Sequence, residues 1–369
     1  SGGVSLRKFL VVVQFAISIG LIVAAGIALS QLRYAMNLDP GYTREQILYY
    51  QGDTLEGLGS NYETMKQELL SHPEILSVTA ANLLPGDQNT NSDGVRFEGG
   101  SESDIGLPYL NVDYDFFETF EIDVIAGRSF SRERATDIFV EPNEERPNTT
   151  ASYILNESAA RQIGYSANES LNKWFEVSRG GGDYRVRGLI VGVVDDIYFS
   201  SIREEVKPVY YRVMDPINSE QQFPNFDQMA VRVSGRNMDD TLESIASIWE
   251  NFLPNAPLRQ TFLEQKLEAL YQSESRQGDI FTAFSIMAFF IAGLGLFGLA
   301  SYLTEQRTRE IGIRKVLGSS VLEIVTMLTR DFSKLVLIAN IIAWPVAWYF
   351  MNAWLQNFAY RTSINFGIF

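Results

Sequence analysis

The sequence predicts an α-helical membrane protein with a large α+β extracytoplasmic domain, with three transmembrane helices present and a fourth missing from the stretch. Three observations predict it. Three uncharged apolar runs are each long enough to cross a hydrocarbon layer. An acidic stretch of roughly 250 residues, alternating helix and strand patterns, lies between the first run and the second. Lysines and arginines concentrate at those run ends that would share one side of a membrane.

Averages over the whole chain hide this division. The 369 residues are 46% apolar, with 45 acids against 30 bases and a formal charge of −15; the mean hydropathy is near zero. That balance argues against a cationic nucleic-acid binder, which needs a basic face. With no cysteine there is no disulfide, thiolate nucleophile or thiolate-bound metal. The single histidine, His72, leaves little for a metal site or an imidazole base, and because it precedes Pro73 it is expected in a surface turn.

The first run, Phe9 to Leu29, has only Gln14 as a strongly polar interruption. At 1.5 Å per residue its length matches a hydrocarbon core of about 30 Å. Arg7 and Lys8 precede it as in a secretory signal peptide, but the run exceeds the usual apolar core of one. Ala24-Ala25-Gly26 inside it makes no convincing cleavage site, so an uncleaved span is the better reading. The second run is Ile280 to Leu303. The third, Leu335 to Leu355, carries Trp344, Trp348, Tyr349 and Trp354 toward its far end, as expected where a helix meets the headgroups.

Orientation follows from the bases near the run ends. Arg7, Lys8, Arg307, Arg309, Arg314, Lys315, Arg330 and Lys334 fall on one side; Arg33, Arg44, Lys266, Arg276 and Arg361 fall on the other. The richer side is expected to be cytoplasmic. Residues 31–303 hold 41 acids and 21 bases, a net of −20, so the acidity belongs to the external domain. The chain opens Ser1-Gly2-Gly3 and closes on Ile364-Asn365-Phe366-Gly367-Ile368-Phe369, which looks like the approach to another span; a longer protein is expected.

Within the external domain, Tyr62, Met65 and Leu69 recur at helical spacing behind a possible Asn61 cap. Strands are expected at Leu76–Ala81, Val124–Arg128, Ser152–Leu155, Arg185–Val194, Val209–Val213 and Met229–Val233. Helices are expected at Asp115–Phe120, Glu157–Ile163 and Met238–Phe252, the last with Leu242, Ile245, Trp249 and Phe252 on one face. Gly180-Gly181-Gly182-Asp183 marks a turn, and residues 141–150 an exposed loop.

Chemistry is sparse there. Asp195-Asp196 could form a carboxylate pair or cation site, but acids at a strand-to-loop junction are more often solvated or capping. The same holds for Asp113 and Asp115, with Asp115 placed to cap the following helix. No G-x-S-x-G elbow and no G-x-x-x-x-G-K-[ST] loop occurs, so neither a hydrolase elbow nor a Walker A nucleotide site is present. At the joints to the apolar runs, residues 31–38 continue the first helical pattern, and Phe262, Leu263, Leu267, Leu270 and Tyr271 form an apolar stripe ahead of the second. Both read as stalks, or equally as ordered linkers.

The segment from Thr304 to Gly318 is the most specific in the chain. Ile311, Arg314, Lys315 and Gly318 fall at helical spacing, so a short helix would carry Ile311, Ile313, Val316 and Leu317 around a basic side. Gly318 can end that helix, and Ser320-Val321-Leu322-Glu323 fits a capping box for the next. A plain positive-inside loop with a surface helix would explain the charges but not the Glu-Ile-Gly-Ile-Arg-Lys order.

Here the chain resembles the MacB/FtsX-type permeases, the transmembrane subunits of type VII ABC transporters. The resemblance is carried by Glu305-Gln306-Arg307-Thr308-Arg309-Glu310-Ile311-Gly312-Ile313-Arg314-Lys315-Val316-Leu317-Gly318. The preceding Gly293-Leu294-Gly295-Leu296-Phe297-Gly298 adds to it, with glycines that permit close helix packing. Weaker similarity to the MacB-like periplasmic core domain lies in Asn111–Phe116, Ala126–Phe130, Asn156–Ala160 and Val191–Asp196.

The resemblance implies a four-span permease around one periplasmic domain, working as a homodimer or with a second permease half. The opening Leu6–Ser18 looks like the start of the second half of a longer duplicated permease. It maps residues 1–8 as a cytoplasmic stub, 9–29, 280–303 and 335–355 as spans, and 30–279 as the periplasmic core domain with stalks at 30–38 and 263–279. Residues 304–334 become the cytoplasmic coupling segment, and 356–369 an external segment leading to the missing span. Glu305, Arg307, Arg309, Glu310, Ile311, Gly312, Ile313, Arg314, Lys315, Leu317 and Gly318 would meet an ABC ATP-binding subunit; Gly293, Gly295 and Gly298 would pack helices. ATP and magnesium would belong to that partner, with no cofactor, metal or catalytic residue in this chain. A bacterial inner-membrane location, membrane lipid and a possible periplasmic partner are further implications, and nucleic acid is not expected. The competing function is an extracytoplasmic sensor signalling through the second span. Such a receptor would usually continue into a cytoplasmic domain, whereas here about 30 residues intervene before the next apolar run. A membrane-anchored hydrolase has no residue constellation behind it.

Overall fold

The computed structural model describes residues 2–51, 61–87, 91–101, 103–199, 205–214, 226, 228–270, 272–317 and 319–364. In chain order the elements begin α1 (Gly2–Asn37), β1 (Ile47–Gln51), α2 (Tyr62–Leu70), β2 (Ile75–Ala81), β3 (Ser92–Phe97), β4 (Ile105–Val112) and α3 (Phe116–Phe120). There follow β5 (Val124–Gly127), β6 (Ile138–Phe139), β7 (Asn148–Asn156), α4 (Glu157–Gln162), α5 (Ala167–Ser170), β8 (Trp174–Arg179) and β9 (Tyr184–Val194). The remainder are β10 (Tyr210–Met214), β11 (Gln228–Val233), α6 (Met238–Phe252), β12 (Gln260–Phe262), α7 (Leu263–Leu270), α8 (Gln272–Gln306), α9 (Thr308–Val316) and α10 (Val321–Leu355). They divide into two compact units, residues 39–270 and residues 1–38 with 271–369.

The unit of residues 39–270 is a ferredoxin-like α/β sandwich with a β-barrel inserted into it. β1-α2-β2 and β11-α6-β12 supply two βαβ halves, and their strands pair antiparallel in the order β12-β1-β11-β2. The helices α2 and α6 cover one face, where Met65, Leu69, Ile245 and Trp249 are buried. Trp249 stacks on Tyr50 of β1 with ring centroids 5.6 Å apart. This is the apolar face expected of α6 from its spacing.

Where a plain ferredoxin-like fold has a short link from β2 to β11, this chain inserts β3 to β10. Six of those strands close a ring: β4 pairs β3, β3 pairs β8, β8 pairs β9, β9 pairs β7, β7 pairs β10, and β10 returns to β4. Alternation along each strand turns Leu107, Tyr109, Val95, Phe175, Val177, Val186, Ile190, Tyr153 and Tyr210 into one core. Closure needs one tight approach. A Cβ on Gly188 of β9 would lie 1.6 Å from the Ala151 carbonyl oxygen of β7, so only glycine fits there.

A second core joins the barrel to the sandwich. Ile47, Tyr49, Ala81 and Ala230 from the sheet face opposite α2 and α6 meet Leu110, Val112, Ile154, Tyr211 and Val213 from the outside of the barrel. The aromatic helix α3 and Leu263 and Leu267 of α7 complete it. The stripe expected on a second stalk is therefore divided: Leu263 and Leu267 are buried on the sheet, and Tyr271 lies outside the described residues. Arg212 of β10 is fully buried between the rings of Tyr109 and Phe139, 4.2 and 4.1 Å from their centroids. It donates to Asn111 at 2.6 Å and to Asp93 at 3.0 Å.

The other unit consists of long helices. Among the described residues, three are long and apolar enough to cross a membrane, over Phe9–Ala35, Gly278–Gln306 and Ser333–Leu355. α1 runs without a break to Asn37, α8 antiparallel to it and α10 parallel to it. The antiparallel pairing is fixed by Ser18, whose hydroxyl donates to the Ala288 carbonyl at 3.0 Å, and by Leu29 lying against Gly278. The parallel pairing sets Val11 and Phe15 beside Leu335, and Val23 and Ile27 beside Ala347, Met351 and Leu355. Gln31 closes the far end: its amide donates to the Tyr360 carbonyl at 3.0 Å and accepts from the Thr362 N–H at 2.8 Å. Pro345 sits inside α10, where it leaves one helical carbonyl without its usual donor.

Candidate functional site

The segment singled out by sequence forms a separate helix, α9, set between α8 and α10. It begins after Arg307, whose side chain does not cap it, and Ile311 N–H donates to the Arg307 carbonyl at 2.9 Å. Thr308 turns its hydroxyl back to the carbonyls of Thr304 and Glu305, marking the break from α8. The C-terminal end is closed at Leu317, whose N–H donates to Ile313 at 3.0 Å, and Ser319 N–H donates to Arg314 at 3.0 Å. Gly318, expected to end this helix, lies outside the described residues. The capping box of α10 is present: the Ser320 hydroxyl accepts from Glu323 N–H at 3.2 Å, and the Glu323 carboxylate accepts from Ser320 N–H at 3.1 Å.

No side chain of α9 is buried. Arg307 and Ile311 are half-buried against the break, while Glu305, Arg309, Glu310, Gly312, Ile313, Arg314 and Lys315 are exposed. Glu310 and Arg314 pair at 2.8 Å across one turn. Beside them Ile313 is 56% exposed, Val316 88% and Leu317 79%, with Leu322 at the start of α10 at 76%. Four apolar side chains thus lie exposed at the rim of a basic helix. Of the glycines expected to pack helices, Gly295 lies against α1, where a Cβ would come 2.6 Å from the Gln14 side-chain oxygen. Gly293 and Gly298 have nothing within 4 Å of such a Cβ.

Of the acids weighed as a carboxylate pair, Asp196 accepts from the Ser158 N–H at 2.9 Å, from its hydroxyl at 2.6 Å and from Arg161 at 2.8 Å, beside the Asn156 N-cap of α4. Asp115 does not cap α3; its carboxylate is taken by Arg132 at 2.7 Å and Lys66 at 2.5 Å. Burial raises the Asp115 pKa, but the hydrogen bonds from Arg132 and the charge and hydrogen bond of Lys66 outweigh it and hold the carboxyl at about 2. Nor does the Asn61 side chain cap α2.

Two cations, Lys66 and Arg212, are buried where the sequence pattern does not call for a charge. Each sits at an inward position of an otherwise apolar pattern, and that placement is the only signal either offered. A cleft of about 670 Å³ beside α3 is lined by Asp115, Glu118, Glu121, Asp123, Arg132 and Glu133 among others. Among the described residues, no group of histidine, aspartate or glutamate side chains is arranged to hold a metal ion.

Comparison with known proteins places part of this geometry. Residues 282–369, which include most of α8, all of α9 and α10, match the FtsX-like permease C-terminal family. The match bears out the resemblance to MacB/FtsX-type permeases in the FtsX-like region that contains α9. No curated protein matches the chain. Among solved structures, the periplasmic region of MacB from Actinobacillus actinomycetemcomitans aligns at 13% identity and a TM-score of 0.41, over 63% of this chain and 95% of that one. A domain of a putative permease from Porphyromonas gingivalis aligns at 16% identity and 0.38, over 57% and 85%. The extracellular domain of the noncanonic ABC-type transporter YknZ from Gram-positive bacteria aligns at 13% and 0.37, over 58% and 97%.

Proposed function

We propose that this chain is the transmembrane permease subunit of an ABC transporter, and that it passes motion between a partner's ATP hydrolysis and its own 39–270 unit. The observation that carries the reading is α9. It lies inside the FtsX-like segment and presents Ile313, Val316 and Leu317 beside Arg314 and Lys315 with no covering from the described residues of this chain. An apolar patch with a basic border suits a groove on an ATP-binding subunit, with Glu310 and Arg314 fixing the helix surface that docks.

In this reading α9 sits in the bacterial cytoplasm, the 39–270 unit in the periplasm, and ATP with its magnesium on the partner. A homodimer or a second permease half completes the membrane part, and a periplasmic protein can meet the external unit. The test is purification of the full-length protein from its native membranes with its associated proteins. An ATP-binding subunit that copurifies, and is lost when Val316 and Leu317 are changed to aspartate, supports the reading. Recovery of the chain without any nucleotide-binding partner overturns it.

A further inference from the structure

The parallel pairing of α1 and α10 leaves a lengthwise groove of about 620 Å³ between them, within the stretches long and apolar enough to span a membrane. Gly20, Ala24, Ala343 and Ala347 form its floor, and Ile17 and Ile342 stand half-exposed along its walls. Gly20 has nothing within 4 Å of where a Cβ would lie, so the space above it is open.

Two further facts bear on what occupies it. The polar groups of α1 are engaged elsewhere: Gln14 lies against Gly295 of α8, and Ser18 donates to Ala288 of α8. Asn340 of α10 returns its amide to the Val336 carbonyl of its own helix at 3.0 Å. The groove thus offers none of the interhelical hydrogen bonds that set register between membrane helices, and an acyl chain needs none. The second fact is charge. The groove begins at Phe9 on α1 and at Leu335 on α10, and because the helices run parallel these mark the same end. Arg7 and Lys8 directly precede the first, and Lys334 directly precedes the second. Lys334 thus borders one mouth of an otherwise apolar slot.

We propose that the groove holds an acyl chain of an anionic phospholipid whose headgroup phosphate lies at the mouth that Lys334 borders. Basic residues at helix ends attract anionic headgroups in this way, and the apolar floor supplies the burial. The inference rests on the membrane reading of the proposed function.

The test uses the full chain reconstituted in vesicles of equimolar phosphatidylglycerol and phosphatidylcholine, then released in mild detergent and weighed intact by native mass spectrometry. The expected result is a retained phosphatidylglycerol adduct. Lys334→Ala weakens it about fivefold, and Gly20→Phe, which fills the slot, removes it with helix content unchanged. Equal retention of phosphatidylcholine, or an adduct indifferent to both variants, overturns the proposal. So does a cross-link, in the full-length protein, from cysteines at Ile17 or Ile342 to a further span, a second permease half or a second copy, which would give the groove to protein. A chain that does not enter vesicles at all would bring down the membrane reading itself, a result distinct from correct insertion without lipid selectivity.

Discussion

Lys66 of α2 and Asp113 at the end of β4 form an ion pair of 2.5 Å in which both side chains are 1% exposed. It joins the inserted barrel to the ferredoxin-like sandwich. Tyr62 donates to the same carboxylate at 2.6 Å, Thr79 donates to its other oxygen, and Lys66 also reaches Asp115 at 2.5 Å. Burying two charges is costly, so the arrangement is stable only because nearly every lone pair and proton has a partner.

Removing one partner should therefore be worse than removing both. Lys66→Met leaves a buried carboxylate uncompensated and is expected to cost about 3–5 kcal/mol. Lys66→Met with Asp113→Leu should recover part of that loss. Chemical denaturation followed by tryptophan fluorescence measures both; equal losses in the single and double variants would contradict this account of the pair.

Acid should weaken the same junction. The folded Asp115 carboxyl sits at about 2, below its ordinary value of 3.8. A depressed carboxylate contributes stability that is present above the unfolded pKa and is lost as pH falls through the folded one. The loss should run from about pH 5 to pH 2 and amount to about 2 kcal/mol. Asp115→Asn should flatten that limb of the stability profile, as read from denaturation midpoints across the range.

Closure of the barrel makes Gly188 a sharp test of the topology. Gly188→Ala would drive a methyl into the Ala151 carbonyl, so the β7–β9 ladder must separate. A loss of about 3 kcal/mol or more is expected. Gly106→Ala on β4, with nothing within 4 Å, should stay within about 1 kcal/mol and serves as the control.

Of Gly293, Gly295 and Gly298 in α8, Gly295 should be the sensitive one. Gly295→Leu displaces Gln14 and should loosen the α1–α8 pairing by about 1–3 kcal/mol, while Gly293→Ala and Gly298→Ala should be tolerated. Gln14→Ala should rescue Gly295→Leu. Thermal unfolding in detergent, with cysteines at Ser18 and Ala288 reporting the pairing, distinguishes these cases.

Much of this was legible in the sequence, and the missing parts share a cause. Helix α6 and strands β2, β7, β9, β10 and β11 follow from apolar periodicity, because each has one buried face or two. β3, with the sequence Ser-Asp-Gly-Val-Arg-Phe, does not: it is short, and its inward Asp93 answers the buried Arg212 and the half-buried Arg179. No local pattern could announce that pair, since the barrel closes between Tyr109 and Tyr210, about a hundred residues apart. The insertion between β2 and β11 hid the ferredoxin-like order for the same reason. The helix α9 was legible because residue order, more than periodicity, carried it. The division of Gly295 from Gly293 and Gly298 was not, because it depends on which side of α8 meets α1.

The proposed docking of α9 on an ATP-binding subunit is tested most directly by site-specific photo-cross-linking from position 316, where Val316 is 88% exposed, in the full-length protein in its native membrane. A cross-link to an ATP-binding subunit, abolished by Ile313→Pro with the rest of the chain still folded, is the predicted result. Cross-links from position 316 to lipid alone, with the partner subunit present in the same membranes, would contradict it.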